Sequence, residues 1–170
     1  MDELAPGDLA QVQRFVNTAD LETRSDELGD PARLSAWLDG AGLAPAGAQF
    51  DEAGRERIVE FREALRALLL ANATGDPPPS AALETVAGVG DLRVDTRLQL
   101  AGEGLAALLA IVVTAQADGT WARLKACPGR DCQWALYDRT RSRTRRWCAG
   151  AKCGARTRSR AYRARRAAGA

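Results

Sequence analysis

The sequence predicts a mainly α fold with a small β element: a helical N-terminal domain over residues 1–120, then a small cysteine-bearing module over 121–170 that ends in a basic helix. Three observations predict it. Apolar residues recur at helical spacing through the first 120 residues. All four cysteines fall between Cys127 and Cys153. Charge is divided unevenly: residues 121–170 carry 15 Lys+Arg and 2 Asp+Glu, a formal +13, whereas residues 1–120 carry 9 and 20, a formal −11. The net +2 and the 46% apolar content conceal this asymmetry while excluding a disordered chain.

The N-terminal elements follow in order. "PGDLAQVQRFVNTADL" places Leu9, Val12, Phe15 and Val16 on one helical face, with Asp8 as N-cap. "DPARLSAWLDGAGL" has Asp30 as cap and Pro31 at the first helical position. Leu34, Trp37 and Leu38 face inward, and Gly40 or Gly42 supplies the stop. "DEAGRERIVEFREALRALLLANATG" carries the longest stripe, Ile58, Phe61, Leu65, Leu68 and Leu69, with charges on the opposite face. "DPPP" (Asp76–Pro79) breaks the chain, and Ser80 opens a short helix. Leu92 and Val94, then Leu98 and Leu100, alternate with polar neighbours, which predicts a strand or short hairpin. An apolar helix runs from about Gly104 to Ala117, too short for a membrane span of roughly 20 residues. With an acidic start at Met1-Asp2-Glu3, a cytoplasmic location is expected.

No catalytic set stands out, and no enzyme is expected. The chain has no histidine, the commonest general base. Gly88-x-Gly90 is too short a match for a phosphate loop. Asn17 and Thr18, just past an apolar helical face, read as a helix cap or a buried hydrogen bond ahead of a ligand contact.

Cys127-x4-Cys132, 15 residues, then Cys148-x4-Cys153 is the sharpest signal. Four thiolates with no open position suit one structural Zn2+ ion, with the usual C-x2-C spacing widened to x4. Disulfides or unligated thiols are the alternatives, and an intracellular compartment disfavours the first. A module of this size buries too little apolar surface to fold alone, and zinc would supply on the order of 10 kcal/mol. A treble-clef-like or ribbon-like finger is therefore expected. "QWALYD" reads as a short strand, with Trp134, Leu136 and Asp138 against Ala135 and Tyr137. "RTRSRTRR" reads as a basic loop, and an Arg-rich helix follows Cys148. Trp134, Tyr137 and Trp147 are expected to pack around the metal rather than stack on bases.

These residues resemble the CGNR-type zinc finger of bacterial proteins. The match comprises Cys127-x4-Cys132-x-Trp134, Tyr137-Asp138-Arg139, Arg145-Arg146-Trp147-Cys148 and Cys153-Gly154-x-Arg156. The N-terminal part is similar to the ABATE domain, through "FVNT" (Phe15–Thr18) and Leu34-x-x-Trp37-Leu38 leading to Gly42-Leu43. The resemblance implies a stress-induced transcription regulator, with Cys127, Cys132, Cys148 and Cys153 as zinc ligands and the finger on DNA. Ala155 stands where the family motif has Asn, which puts any contact of that Asn in doubt.

The expected function is a DNA-binding regulator. Arg139, Arg141, Arg143, Arg145 and Arg146 would reach phosphates from the loop, and Arg156, Arg160 and Arg163 would contact the backbone or a groove from the helix. An RNA-binding or protein-interaction zinc module is the alternative, and pairing of the basic part with the acidic part is the plainer account of the charge. A small-molecule effector of the N-terminal domain and a homo-oligomer are both compatible with the sequence. No membrane partner is expected.

Overall fold

A computed structural model describes residues 3–90, 92–95 and 100–168; within 150–168, the side chains described are those of Lys152–Arg156, Ser159, Tyr162, Arg163, Arg165 and Arg166. Six α-helices and three two-stranded antiparallel hairpins are built from these residues.

Helix α1 (Leu9–Val16) buries Leu9, Val12, Phe15 and Val16, the predicted stripe. Asp8 occupies the N-cap position, but its backbone is already helical and its side chain makes no capping bond. The hairpin β1 (Ala19–Asp20) and β2 (Ser25–Asp26) follows. Its turn is held by Asp20, whose Oδ1 accepts from the amides of Glu22 (2.8 Å) and Thr23 (3.2 Å). Helix α2 (Pro31–Gly40) starts as predicted, with the Asp30 carboxylate accepting from the Arg33 amide at 2.9 Å. It stops before Gly42, whose φ of +66° a side chain would strain. Trp37 is half-buried.

Helix α3 (Glu52–Thr74) is the axis of the molecule. Asp51 caps it through the Gly54 amide at 2.7 Å, and Gly75 ends it in the left-handed region at φ +82°. Its apolar stripe is buried, yet its charged face is not wholly in solvent. Arg62 and Arg66 are only 3% and 2% exposed. The cause is polar satisfaction. Arg62 forms a two-pronged pair with Asp26 (2.7 and 2.8 Å) and donates to the Thr18 hydroxyl (3.1 Å). Arg66 donates to the carbonyl of Val16 (2.7 Å), an acceptor that the end of α1 leaves open, and to Gln133 (3.0 Å).

Helix α4 (Ser80–Ala87) is bounded by Pro79; Ser80 lies inside its first turn and does not cap it. β3 (Arg93–Val94) pairs with β4 (Leu100–Ala101), so the predicted hairpin forms. Its alternation does not mark a core face, however: Val94 and Leu100 are exposed, and Leu98 lies outside the described residues. At Gly102 an added Cβ would come within 2.5 Å of the Ala106 backbone, so only glycine fits the entry to α5 (Leu105–Ala117). α5 packs against α1 with Leu108 and Val112 buried. Among the described residues no helix is long and apolar enough to cross a membrane.

A short 3-10 turn (Trp121–Arg123) leads into β5 (Leu124–Ala126), which pairs with β6 (Ala135–Tyr137). Partners in register share a face. Leu124, Tyr137, Ala126 and Ala135 lie in the same buried cluster as the helices, whereas Leu136 packs with Cys127, Cys132 and Cys153. The hairpin is thus a plate with helical core on one side and thiols on the other. α3 holds the plate further through Asn72, whose Nδ2 donates to the carbonyls of Trp121 (3.1 Å) and Leu124 (3.0 Å). A wide π-type turn (Gly150–Gly154) then opens helix α6 (Ala155–Ala168).

Candidate metal centre and nucleic-acid interface

The two cysteine pairs arrive from different elements. Cys127 and Cys132 bracket the tight connection between β5 and β6. That connection is closed by amide bonds from Cys127 to Trp134 (2.9 Å) and from Cys132 to Gly129 (2.9 Å). A Cβ on Gly129 would lie in ordinary contact with the Cys132 Cβ at 3.4 Å and the Cys127 Sγ at 3.5 Å, so this loop lies directly against the thiols. Cys148 ends the basic loop, and Cys153 sits in the turn that starts α6, its amide bonded to the Ala149 carbonyl at 2.9 Å. A knuckle at a hairpin plus a helix start is a treble-clef-like arrangement.

All four Sγ atoms lie within 4.8 Å of one another. Cys132 and Cys148 are 3.4 Å apart, and Cys148 and Cys153 are 3.5 Å apart. A disulfide requires ~2.05 Å, whereas four sulfurs around tetrahedral zinc stand ~3.8 Å apart. The spacing therefore fits one metal ion and excludes disulfides. The thiol chemistry agrees. A hydrogen bond from Cys132 holds the Cys127 thiol down to about 5, and the same bond pushes Cys132 up. Burial pushes Cys148 up to about 12. Four thiols this close cannot all ionise unaided, and a dication at their centre removes that conflict. Cys127, Cys132, Cys148 and Cys153 fit one structural zinc ion, which would cross-link the module and, with four thiolates, would have no open position. Trp134 and Trp147 are half-buried against this cluster, while Tyr137 is buried on the helical side of the plate.

The basic loop is organised by a buried ion pair between Lys125 of β5 and Asp138, which follows β6. Lys125 and Asp138 are 6% and 0% exposed and meet at 2.8 Å. The Lys125 ammonium also donates to the carbonyls of Arg143 (2.6 Å) and Arg145 (3.0 Å), which uses all three of its hydrogens. Asp138 Oδ1 accepts from the Thr140 amide (2.9 Å) and hydroxyl (2.6 Å), and Oδ2 accepts from the Arg145 amide (2.9 Å). Burial alone would raise the Asp138 carboxyl, but Lys125 and Thr140 outweigh it and hold it at about 2. The loop is thus pinned at both ends. The only early hints were a lysine one position out of phase with apolar strand neighbours and the Asp-x-Thr turn that follows.

The eight arginines assigned to nucleic acid divide accordingly. Arg141, Arg143 and Arg146 are exposed and have no acidic partner among the described residues. Arg145 is half-buried and donates to the carbonyls of Trp147 (3.2 Å) and Cys148 (2.7 Å), so it braces the metal loop. Arg139 turns to the N-terminal part, pairing with Glu3 (3.2 Å), donating to the Leu4 carbonyl (2.7 Å) and lying over the Tyr137 ring. Arg156 pairs with Glu22 at 3.0 Å. Arg163 is exposed on α6, and the Arg160 side chain lies outside the described residues. Ala155 opens α6 in helical conformation, directly after Cys153-Gly154.

Asn17 carries a structural role. It ends α1, accepts from the Ala135 amide through Oδ1 (2.7 Å) and donates to the Ala135 carbonyl through Nδ2 (3.0 Å). Gln13 donates to the same carbonyl at 3.1 Å. Thr18 bonds the Phe15 carbonyl at 2.8 Å.

Residues 9–136 match the ABATE family, described as a putative stress-induced transcription regulator, and residues 123–166 match the CGNR zinc finger. No curated protein matches the chain. The two matches overlap over 123–136, the hairpin that faces both the helical core and the thiols. The chain belongs to the ABATE family and ends in a CGNR zinc finger.

Proposed function

We propose that the protein is a transcription regulator that binds duplex DNA through its finger. The single observation that carries this reading is the presentation of Arg141, Arg143 and Arg146. Three exposed guanidiniums stand on a loop fixed from beneath by the buried Lys125–Asp138 pair. Arginine suits phosphate and guanine edges alike, and a preorganised loop loses less entropy on binding than a free tail. Arg163, exposed on α6, adds a further guanidinium.

Base stacking favours RNA readers. Tyr137 is buried and the two tryptophans are half-buried against the thiols, so these three rings offer no free platform, whereas Tyr162 on α6 is exposed with Arg166 over its ring. Stacking by Trp134, Tyr137 and Trp147 is thereby disfavoured, which supports DNA over RNA to that extent. A closed four-thiolate centre supports a structural metal and a non-enzymatic role.

Residues 1–120 act as the sensory domain and 121–170 as the reader, in the cytoplasm. A cleft of about 900 Å³, lined by Gln13, Asn17, Trp37 and Trp134 among others, is the place for a small-molecule effector. Its lining reaches from α1 to the tryptophan beside Cys132, so occupancy would be felt at the finger. Titration of the zinc-loaded protein into labelled random-sequence duplex, with structured RNA as competitor, tests the reading. Duplex binding that RNA does not outcompete supports it, and preferential RNA binding contradicts it.

A further inference from the structure

Glu22 sits in the β1–β2 turn of the acidic part, yet one of its carboxylate oxygens meets two cations of the finger. Oε1 lies 2.7 Å from Lys152 Nζ and 3.0 Å from Arg156 Nη1. Both cations are about half exposed, so solvent and a larger anion can reach them. They flank Cys153, one residue before it and three after, on the turn and first helical turn that carry this ligand.

Their position is unusual in electrostatic terms. Lys152 precedes α6 and Arg156 lies in its first turn, where the helix dipole already places positive potential. Cations gathered there repel the helix end, and an anion between them is favoured. The Glu22 carboxyl is held below its ordinary range, first by its bonds to Lys152 and then by those to Arg156. Asp131 also faces Arg156, and Asp20 faces Lys152, but neither bridges the two cations in the way Glu22 does.

We propose that Lys152 and Arg156 form a phosphodiester subsite, occupied in the free protein by the protein's own Glu22, which nucleic acid displaces. A phosphate oxygen in place of Oε1 would make the same two charge-assisted bonds. Lys152 thereby joins the nucleic-acid surface. The acidic domain competes with the ligand at one defined point rather than through its overall charge. The inference rests on the reading of the finger as a nucleic-acid binder.

The test uses the full-length, zinc-loaded protein and a duplex DNA probe at about 50 mM salt. Glu22→Gln binds about threefold to tenfold tighter than wild type, and this gain vanishes when Lys152→Ala and Arg156→Ala are present together. Glu84→Gln, which removes one exposed acid elsewhere, leaves affinity within about twofold. If wild type binds DNA and Glu22→Gln leaves its affinity unchanged, the subsite is wrong and the DNA reading stands. A gain that persists without Lys152 and Arg156 also overturns the subsite, since long-range charge then suffices. If neither wild type nor Glu22→Gln binds any duplex, both the reading and the subsite fall.

Discussion

Asn17 at the end of α1 grips both backbone groups of Ala135 in β6, accepting from its amide at 2.7 Å and donating to its carbonyl at 3.0 Å. Here an asparagine side chain completes the edge of the finger's hairpin, across 118 residues of sequence. Replacing Asn17 with Ala leaves the Ala135 amide without this acceptor, at a cost of about 1–3 kcal/mol. Thermal or denaturant unfolding of the zinc-loaded protein should register that loss. Asn17→Ala should also release zinc to a chelator faster than wild type.

The shared plate makes a prediction about cooperativity. Leu124, Ala126, Ala135 and Tyr137 belong to the helical core while Leu136, between the last two, packs with the thiols. Cys148→Ser should therefore lower the melting temperature of the whole chain. Calorimetry should show one transition for the zinc-loaded wild type rather than a small finger melting apart from the helices.

Much of this was legible in the sequence. The stripe of α1, the Asp30-Pro31 start, the break at Asp76–Pro79 after α3 and the cysteine spacing are local signals, and each has its counterpart in the structure. The rest depends on distant partners. Arg62 and Arg66 sit at positions that read as a solvated face, because nothing nearby in sequence announces Asp26 or the Val16 carbonyl. The alternation around Val94 and Leu100 marks the strand pair but not a buried face, since both residues are exposed in it. The fate of the arginines was least legible. Composition counts charge, whereas Arg139 and Arg145 are committed to the protein itself and Arg156 is paired with Glu22.

The Lys125–Asp138 pair should be costly to break from one side. Lys125→Met strands a carboxylate that is fully buried, and a loss of about 3–5 kcal/mol is expected in denaturant unfolding. The basic loop loses its anchor in the same variant, so duplex affinity should fall even where the protein remains folded and zinc-loaded.

Acid should remove that pair's contribution in a defined window. Asp138 titrates at about 2 in the folded protein, below the ~3.9 of an unfolded aspartate. Its stabilisation is complete above pH ~4 and is lost as pH falls toward ~2. The stability difference between wild type and Asp138→Asn, followed by fluorescence across pH 2–6, should shrink on the acid side. Asp26, held down by Arg62 against the effect of its burial, is lost in the same direction.

The central claim is that a zinc-fixed loop presents arginines to the nucleic-acid backbone. The most direct measurement is the salt dependence of duplex affinity for wild type and for Arg141→Ala/Arg143→Ala/Arg146→Ala. About six phosphate contacts predict a log–log slope near −5 for wild type, and three fewer contacts flatten it by roughly 2.7. Wild-type affinity that does not change with salt, or a triple variant with the wild-type slope, would contradict the account.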